Sequence, residues 1–144
     1  MKKILLSLLF LATTMVFAEV TNRPVTIPFI NEKDMKIIDI RTEGEWREMG
    51  IVSDAYLLTF FDERYGYDTE AFLKELNHIV KKDEQFALIC NTGSRTKLVS
   101  NFLSKNGYNV VNLTGGMSAL ARDGYKPKPY KQSRDSNKDN NSSE

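Results

Sequence analysis

The chain alternates between two hydrophobic rhythms. Short apolar runs occur at 35–41, 55–58, 86–90 and 109–113, and each reads as a strand. Between them, apolar residues recur at helical spacing. The clearest stripe, Phe72, Leu73, Leu76, Ile79 and Val80, predicts an amphipathic helix over about 69–80. Leu98, Val99, Phe102 and Leu103 predict another, stopped by Gly107. Thr42, with Glu45 three residues on, forms a capping box and predicts a helix that carries Trp46 and ends near Gly50. A short helix through Ala119, Leu120 and Ala121, closed by Gly124, completes the series. The segment 20–29, punctuated by Pro24 and Pro28, reads as an edge strand or a lead-in. The aromatic and charged stretch 59–68 reads as a loop over one face. Strands alternating with helices argue for an α/β fold, a mainly parallel sheet covered on both faces. In such sheets function gathers at the carboxyl ends of the strands. Asp39, Arg41, Cys90 and Gly115 are expected to converge there.

Both ends break this rhythm. Lys2 and Lys3 precede an apolar run from Ile4 to Ala18, with Val16 and Ala18 at small-residue cleavage positions, so 1–18 reads as a secretory signal peptide. Its alternative is an uncleaved anchor, but the run falls short of the roughly 20 residues a membrane span needs. No cysteine follows the expected cut to carry a lipid. From Lys126 the chain turns to proline, then to Ser, Asn, Asp and Lys, and 130–144 is expected to be a disordered polar tail. That leaves 19–129 as one domain, exported and most simply periplasmic, with no stable membrane insertion after cleavage. Without Lys2 and Lys3 the 20 basic residues become 18 against 19 acidic, a net charge of −1, which does not suggest a nucleic-acid surface. Oligomeric state is not legible in these patterns.

Candidate chemistry centres on Cys90, the only cysteine in the chain. It stands where the 86–90 strand hands over to a helix through Asn91, Thr92 and Gly93. Loop N–H groups, the free amides of a helix start and Arg95 would all favour negative charge on its sulfur. The plain alternative is a small buried hydrophobe, which has no need of a glycine turn with a hydroxyl-rich edge and an arginine. Export sharpens the question, because cysteines in oxidising compartments ordinarily pair and this one has no partner in its own chain. His78, the only histidine, falls opposite the apolar stripe of its helix, which argues against a cysteine–histidine dyad. One cysteine and one histidine cannot close a zinc site, and no cofactor is indicated.

Three segments then carry a resemblance: Ile38-Asp39-Ile40-Arg41 with Glu45-Trp46; Cys90-Asn91-Thr92-Gly93-Ser94-Arg95-Thr96; and Leu113-Thr114-Gly115-Gly116-Met117 with Gly124-Tyr125. From about 35 to 125 the chain resembles a single rhodanese domain, the sulfurtransferase fold, a three-layer architecture with about five strands. The resemblance implies a Cys90 persulfide. It would be loaded from a sulfane donor such as thiosulfate or polysulfide, cradled by the N–H groups of Asn91 to Thr96, and passed to a thiol, cyanide or a protein acceptor. Four residues separate Cys90 from Arg95, as in sulfurtransferases, whereas related phosphatases and arsenate reductases place five. The chain departs from the family pattern at Met49-Gly50-Ile51, where Gly-His-Ile is common, and at Leu120, where a tryptophan is common.

Within this frame Arg95 either binds an anionic donor or pins the loop against a carboxylate. Ser94 and Thr96 are expected as helix caps, with contact to the persulfide as the alternative. Asp39 and Arg41 are expected to orient the loop, through an ion pair with Glu45, unless Arg41 touches the ligand. Trp46 is expected in the core. Two rival functions remain open: a non-catalytic rhodanese-like binding module, and a thiol redox protein working through a mixed disulfide.

Overall fold

The computed structural model describes residues 20–132. The expected signal peptide and positions 133–144 of the expected tail lie outside the described residues. Among those described, the strands are β1 (Thr21–Pro24), β2 (Ile37–Asp39), β3 (Tyr56–Leu57), β4 (Phe86–Ile89) and β5 (Val110–Thr114). They form one parallel sheet in the order β1-β5-β4-β2-β3. The helices are α1 (Ile27–Asn31), α2 (Glu43–Met49), α3 (Thr69–Ile79), α4 (Ser94–Lys105) and α5 (Gly116–Arg122).

The central strand explains the layering. All four residues of β4 are buried, as a strand covered on both faces requires. Phe86 and Leu88 point into a core built with Phe72 and Leu76 of α3 and Val99 and Leu103 of α4. Ala87 and Ile89 point the other way, into a core with Phe29 and Ile30 of α1 and Met117 and Leu120 of α5. Cys90 continues the phase of Phe86 and Leu88, so its side chain falls on the α3/α4 face. Leu120, where the family commonly has tryptophan, is fully buried in the opposite core.

Most expected elements are present at nearly the expected bounds. The lead-in segment holds an edge strand and also a helix that proline argues against in sequence. Pro28 sits in the first turn of α1, where the missing N–H costs nothing, and the Thr26 hydroxyl caps that turn by accepting from Phe29 N at 3.3 Å. β3 is shorter than the 55–58 run, as befits an edge. His78 is exposed on α3.

Two connections shape the surroundings of the carboxyl ends. In the 59–68 loop the buried Phe60 ring meets Phe61 and Phe72 at 4.8 Å each and Phe102 of α4 at 5.8 Å. Tyr65 in the same loop stays 78% exposed, at a positive φ of 61°. After α5 the chain returns to α2. Ile51 and Lys128 exchange two backbone hydrogen bonds of 2.8 and 2.9 Å, Tyr130 packs on Trp46 at 5.7 Å, and Arg47 donates to Gln132 at 2.7 Å. Trp46 is buried, in keeping with a packing role.

Because Leu88 is fully buried in the middle of the sheet, Leu88→Ala should lower the unfolding free energy by about 2–5 kcal/mol. Urea titration followed by the fluorescence of Trp46, the single tryptophan, would measure this.

Candidate active site

Asp39 ends β2, Cys90 directly follows β4 and Gly115 directly follows β5, so the parallel sheet gathers all three segments at one end. Two ion pairs support them. Arg41 and Asp39 are both fully buried. The Arg41 guanidinium donates to the Asp39 carboxylate at 2.6 to 3.1 Å, and also to the Gly50 carbonyl at 2.8 Å. Arg41 therefore pairs with Asp39 and not, as expected from sequence, with Glu45. The Asp39 carboxylate lies two residues away on the same strand end, and it also accepts from Arg41 N. This leaves Arg41 braced against the end of α2 at the Met49-Gly50-Ile51 departure.

Glu45 instead receives Arg95. Its two oxygens accept from the two terminal nitrogens of Arg95 at 2.7 and 2.5 Å. Glu45 Oε2 also accepts from Thr42 N at 3.0 Å, while Thr42 Oγ1 accepts from Glu45 N at 3.3 Å, completing the capping box. Of the two readings of Arg95, the geometry is that of a loop pin. Partial burial alone would raise the Glu45 pKa. Hydrogen bonds from Arg95 and from the Thr42 N–H outweigh it and bring the pKa down to about 2. Arg95 is raised, first by its hydrogen bond to Glu45 and more weakly by the fields of Cys90 and Tyr65.

The loop closes tightly around the sulfur. Gly93 N donates to Cys90 Sγ at 3.1 Å, and Thr96 Oγ1 lies 3.7 Å from the sulfur while donating to Gly93 O at 3.1 Å. The cradle is thus narrower than the expected run of amides from Asn91 to Thr96; among the described residues, Gly93 is the backbone donor to the sulfur. Ser94 and Thr96 do not cap α4. The N-cap is Gly93 itself, at φ +92° and without a side-chain bond, which puts Ser94 and Thr96 inside the first turn. Ser94 Oγ pairs with Thr92 Oγ1 at 3.1 Å on the exposed rim, and Thr96 turns inward to the thiol.

One part of the site could not be read from spacing. The amides of Met117 and Ser118, at the start of α5, donate to the carbonyls of Cys90 and Asn91 at 2.9 Å each. Ser118 Oγ adds a bond to Asn91 Oδ1 at 3.0 Å. Gly116, at φ +56°, makes this approach possible: a Cβ there would collide with Cys90 O and stand 2.6 Å from Asn91 O. Gly93 meets the same junction from the other side, where a Cβ would come within 2.9 Å of Gly115 N. The double glycine is a backbone clasp on the cysteine loop. Its sequence signal was the adjacent pair of glycines between a strand and a helix.

Cys90 is 0% exposed. A surface cavity of about 510 Å³, lined by Lys33, Lys36, Ile37, Asp54 and Tyr56 among others, lies at the amino ends of β2 and β3, the far end of the sheet from the thiol. Among the described residues, no group of three or more His, Cys, Asp or Glu side chains is placed to hold a metal ion.

Two predictions follow from the supports. The depressed Glu45 pKa contributes stability that is fully present above the unfolded value of about 4.5 and is lost as pH falls toward 2. The deficit of Glu45→Gln in urea unfolding should therefore be largest above pH 5, on the order of 1–3 kcal/mol, and should shrink steadily toward pH 2. Gly116→Ala should cost at least about 2 kcal/mol through backbone strain and collision, and should change the chemical shifts of the Cys90 and Asn91 amides in a proton–nitrogen spectrum.

Comparison with known proteins bears on the family and the fold. Residues 29–123 match the rhodanese-like domain family. A putative sulfurtransferase of Bacillus subtilis, YtwF, is 27% identical over 88 residues, which covers 61% of this chain and 75% of that protein. A Staphylococcus saprophyticus crystal structure aligns at 28% identity and a TM-score of 0.53, covering 72% of this chain and 97% of that one. A rhodanese-like domain protein from Staphylococcus aureus aligns at 25% identity and a TM-score of 0.53, covering 76% and 98%. With its parallel sheet, its clasped cysteine loop and a family match over most of the described residues, the chain belongs to the rhodanese-like domain family.

Proposed function

We propose that this protein is a sulfurtransferase that carries a sulfane sulfur on Cys90. The observation that carries this reading is the seating of Sγ at the end of the central strand, under the Gly93 N–H at 3.1 Å. Four residues separate it from an arginine locked on Glu45. A backbone donor on a sulfur stabilises charge there, whether on a thiolate or on the anion of a persulfide.

The chemistry is double displacement. The Cys90 thiolate attacks the outer sulfur of a sulfane donor, a new S–S bond forms, and the donor's own S–S bond breaks with its electron pair leaving on the departing fragment. A second nucleophile, a thiol or cyanide, then takes the outer sulfur and returns the thiolate. Thr96 suits both stages. Its hydroxyl can accept from S–H while donating to Gly93 O, or rotate to donate to the ionised sulfur. Asn91, Thr92 and Ser94 form the loop rim, and Asp39 and Arg41 hold the strand end beneath it. Export to the periplasm would set this chemistry where an unpaired thiol is otherwise at risk of oxidation.

Incubation with polysulfide or thiosulfate, followed by intact mass measurement, should show one added sulfur that is lost on adding cyanide and absent from Cys90→Ser. If no sulfane donor adds that mass, the protein is better read as a binding module on the same fold.

A further inference from the structure

The buried guanidinium at the end of β2 is unevenly bonded. Arg41 Nε and Nη2 are taken up by the Asp39 carboxylate and the Gly50 carbonyl, at 2.6 to 3.1 Å. Nη1 has one partner among the described residues, the Met49 thioether, at 3.9 Å. A thioether is a weak acceptor. Arg41 is sealed from solvent, and a weakly bonded donor on a buried cation is costly.

The other member of this contact is open to solvent. Met49, the last residue of α2, is 36% exposed, whereas Met35 is partly buried against the core and Met117 is 2% exposed. Met49 is therefore the methionine most accessible to an oxidant among the described residues. Methionine oxidation ordinarily disrupts a fold, because a polar oxygen appears where an apolar sulfur was packed. Here the sulfur is packed on a cation. An oxygen bonded to Sδ and turned toward Nη1 would fill much of the 3.9 Å between them and come within hydrogen-bonding reach, about 2.7–3.2 Å. The three rotatable bonds of the side chain leave that oxygen free to turn. Met49 also opens the stretch at which the chain departs from the family pattern, and a glycine in its place would offer Nη1 nothing.

We propose that Met49 is an oxidation site whose sulfoxide is received by Arg41, so that oxidation tightens the end of α2 instead of loosening it. The oxidant is hydrogen peroxide. Its O–O bond breaks as the Met49 sulfur gives up two electrons and takes one oxygen, and the other oxygen leaves with both protons as water. Nη1 then donates to the sulfoxide oxygen while Nη2 keeps the Gly50 carbonyl, and one guanidinium grips two consecutive residues. The inference does not depend on the reaction at Cys90.

The test uses the full chain carrying Cys90→Ser, so that peroxide acts on methionine and not on the thiol. Graded peroxide followed by peptide mass mapping should find an added oxygen on Met49 before Met35 or Met117. Thermal unfolding of the protein oxidised at Met49 should have a midpoint at least about 3 °C above that of the untreated protein. Met49→Gln places an amide oxygen where the sulfoxide oxygen would lie, at nearly equal helix propensity. It should raise the midpoint without peroxide, and peroxide should add nothing further. Met49→Leu should show no rise under the same treatment. Earlier oxidation of Met35 or Met117 would overturn the inference. So would a midpoint unmoved or lowered by oxidation of Met49, a rise that persists in Met49→Leu, or the absence of any gain in Met49→Gln.

Discussion

A single carboxylate holds the reactive end of this molecule together. Glu45 accepts from Thr42 N and so closes the first turn of α2. With the same two oxygens it receives the fork of Arg95 from the start of α4. A charged bidentate pair of this kind fixes direction as well as distance. Helix α2 follows β2 and α4 follows β4, so the bond ties together the segments that leave two neighbouring strands. The cysteine loop lies between a fully buried strand and a helix tethered by Arg95.

The support is completed from beneath and from the side. Asp39 and Arg41 make a fully buried pair, an arrangement in which losing one partner typically costs about 3–5 kcal/mol because the other charge is stranded. From the side, the α5 amides hold the carbonyls of Cys90 and Asn91. Two contacts from two different connections, the Arg95–Glu45 pair and the α5 amides, converge on one short turn, while the Asp39–Arg41 pair ties the end of β2 to the end of α2. Rigidity of this order is what a site needs if its donors are to be in place before charge develops.

Much of the layout was legible in the residues, and the limits were physical. The Thr42–Glu45 box is local, so spacing alone revealed it. The partner of Arg95 was not legible, because Asp39 and Glu45 were both available to Arg41 and Arg95 and nothing local decides between pairings separated by fifty positions. Helix α1 was hidden because proline breaks helices in their interior, yet is at home in their first turn. Ser94 and Thr96 looked like caps because they are hydroxyls near a helix start. The left-handed Gly93 moves that start one residue earlier and frees Thr96 for the thiol. The resemblance to rhodaneses, carried by motif residues from three distant segments, located the site, and the fold brought those segments to one end of the sheet.

The return of the chain to α2 has a mechanical consequence. Lys128 is bonded to Ile51, Tyr130 leans on Trp46 and Gln132 receives Arg47. All three contacts fall on, or immediately after, the helix whose first turn bears Glu45. A load applied to the chain beyond position 132, by a partner, a surface or a fused domain, would be transmitted to that helix before reaching the sheet. The helix that bears the carboxylate aiming the sulfur loop is thus also the element at which tension on the C-terminal side would first be felt.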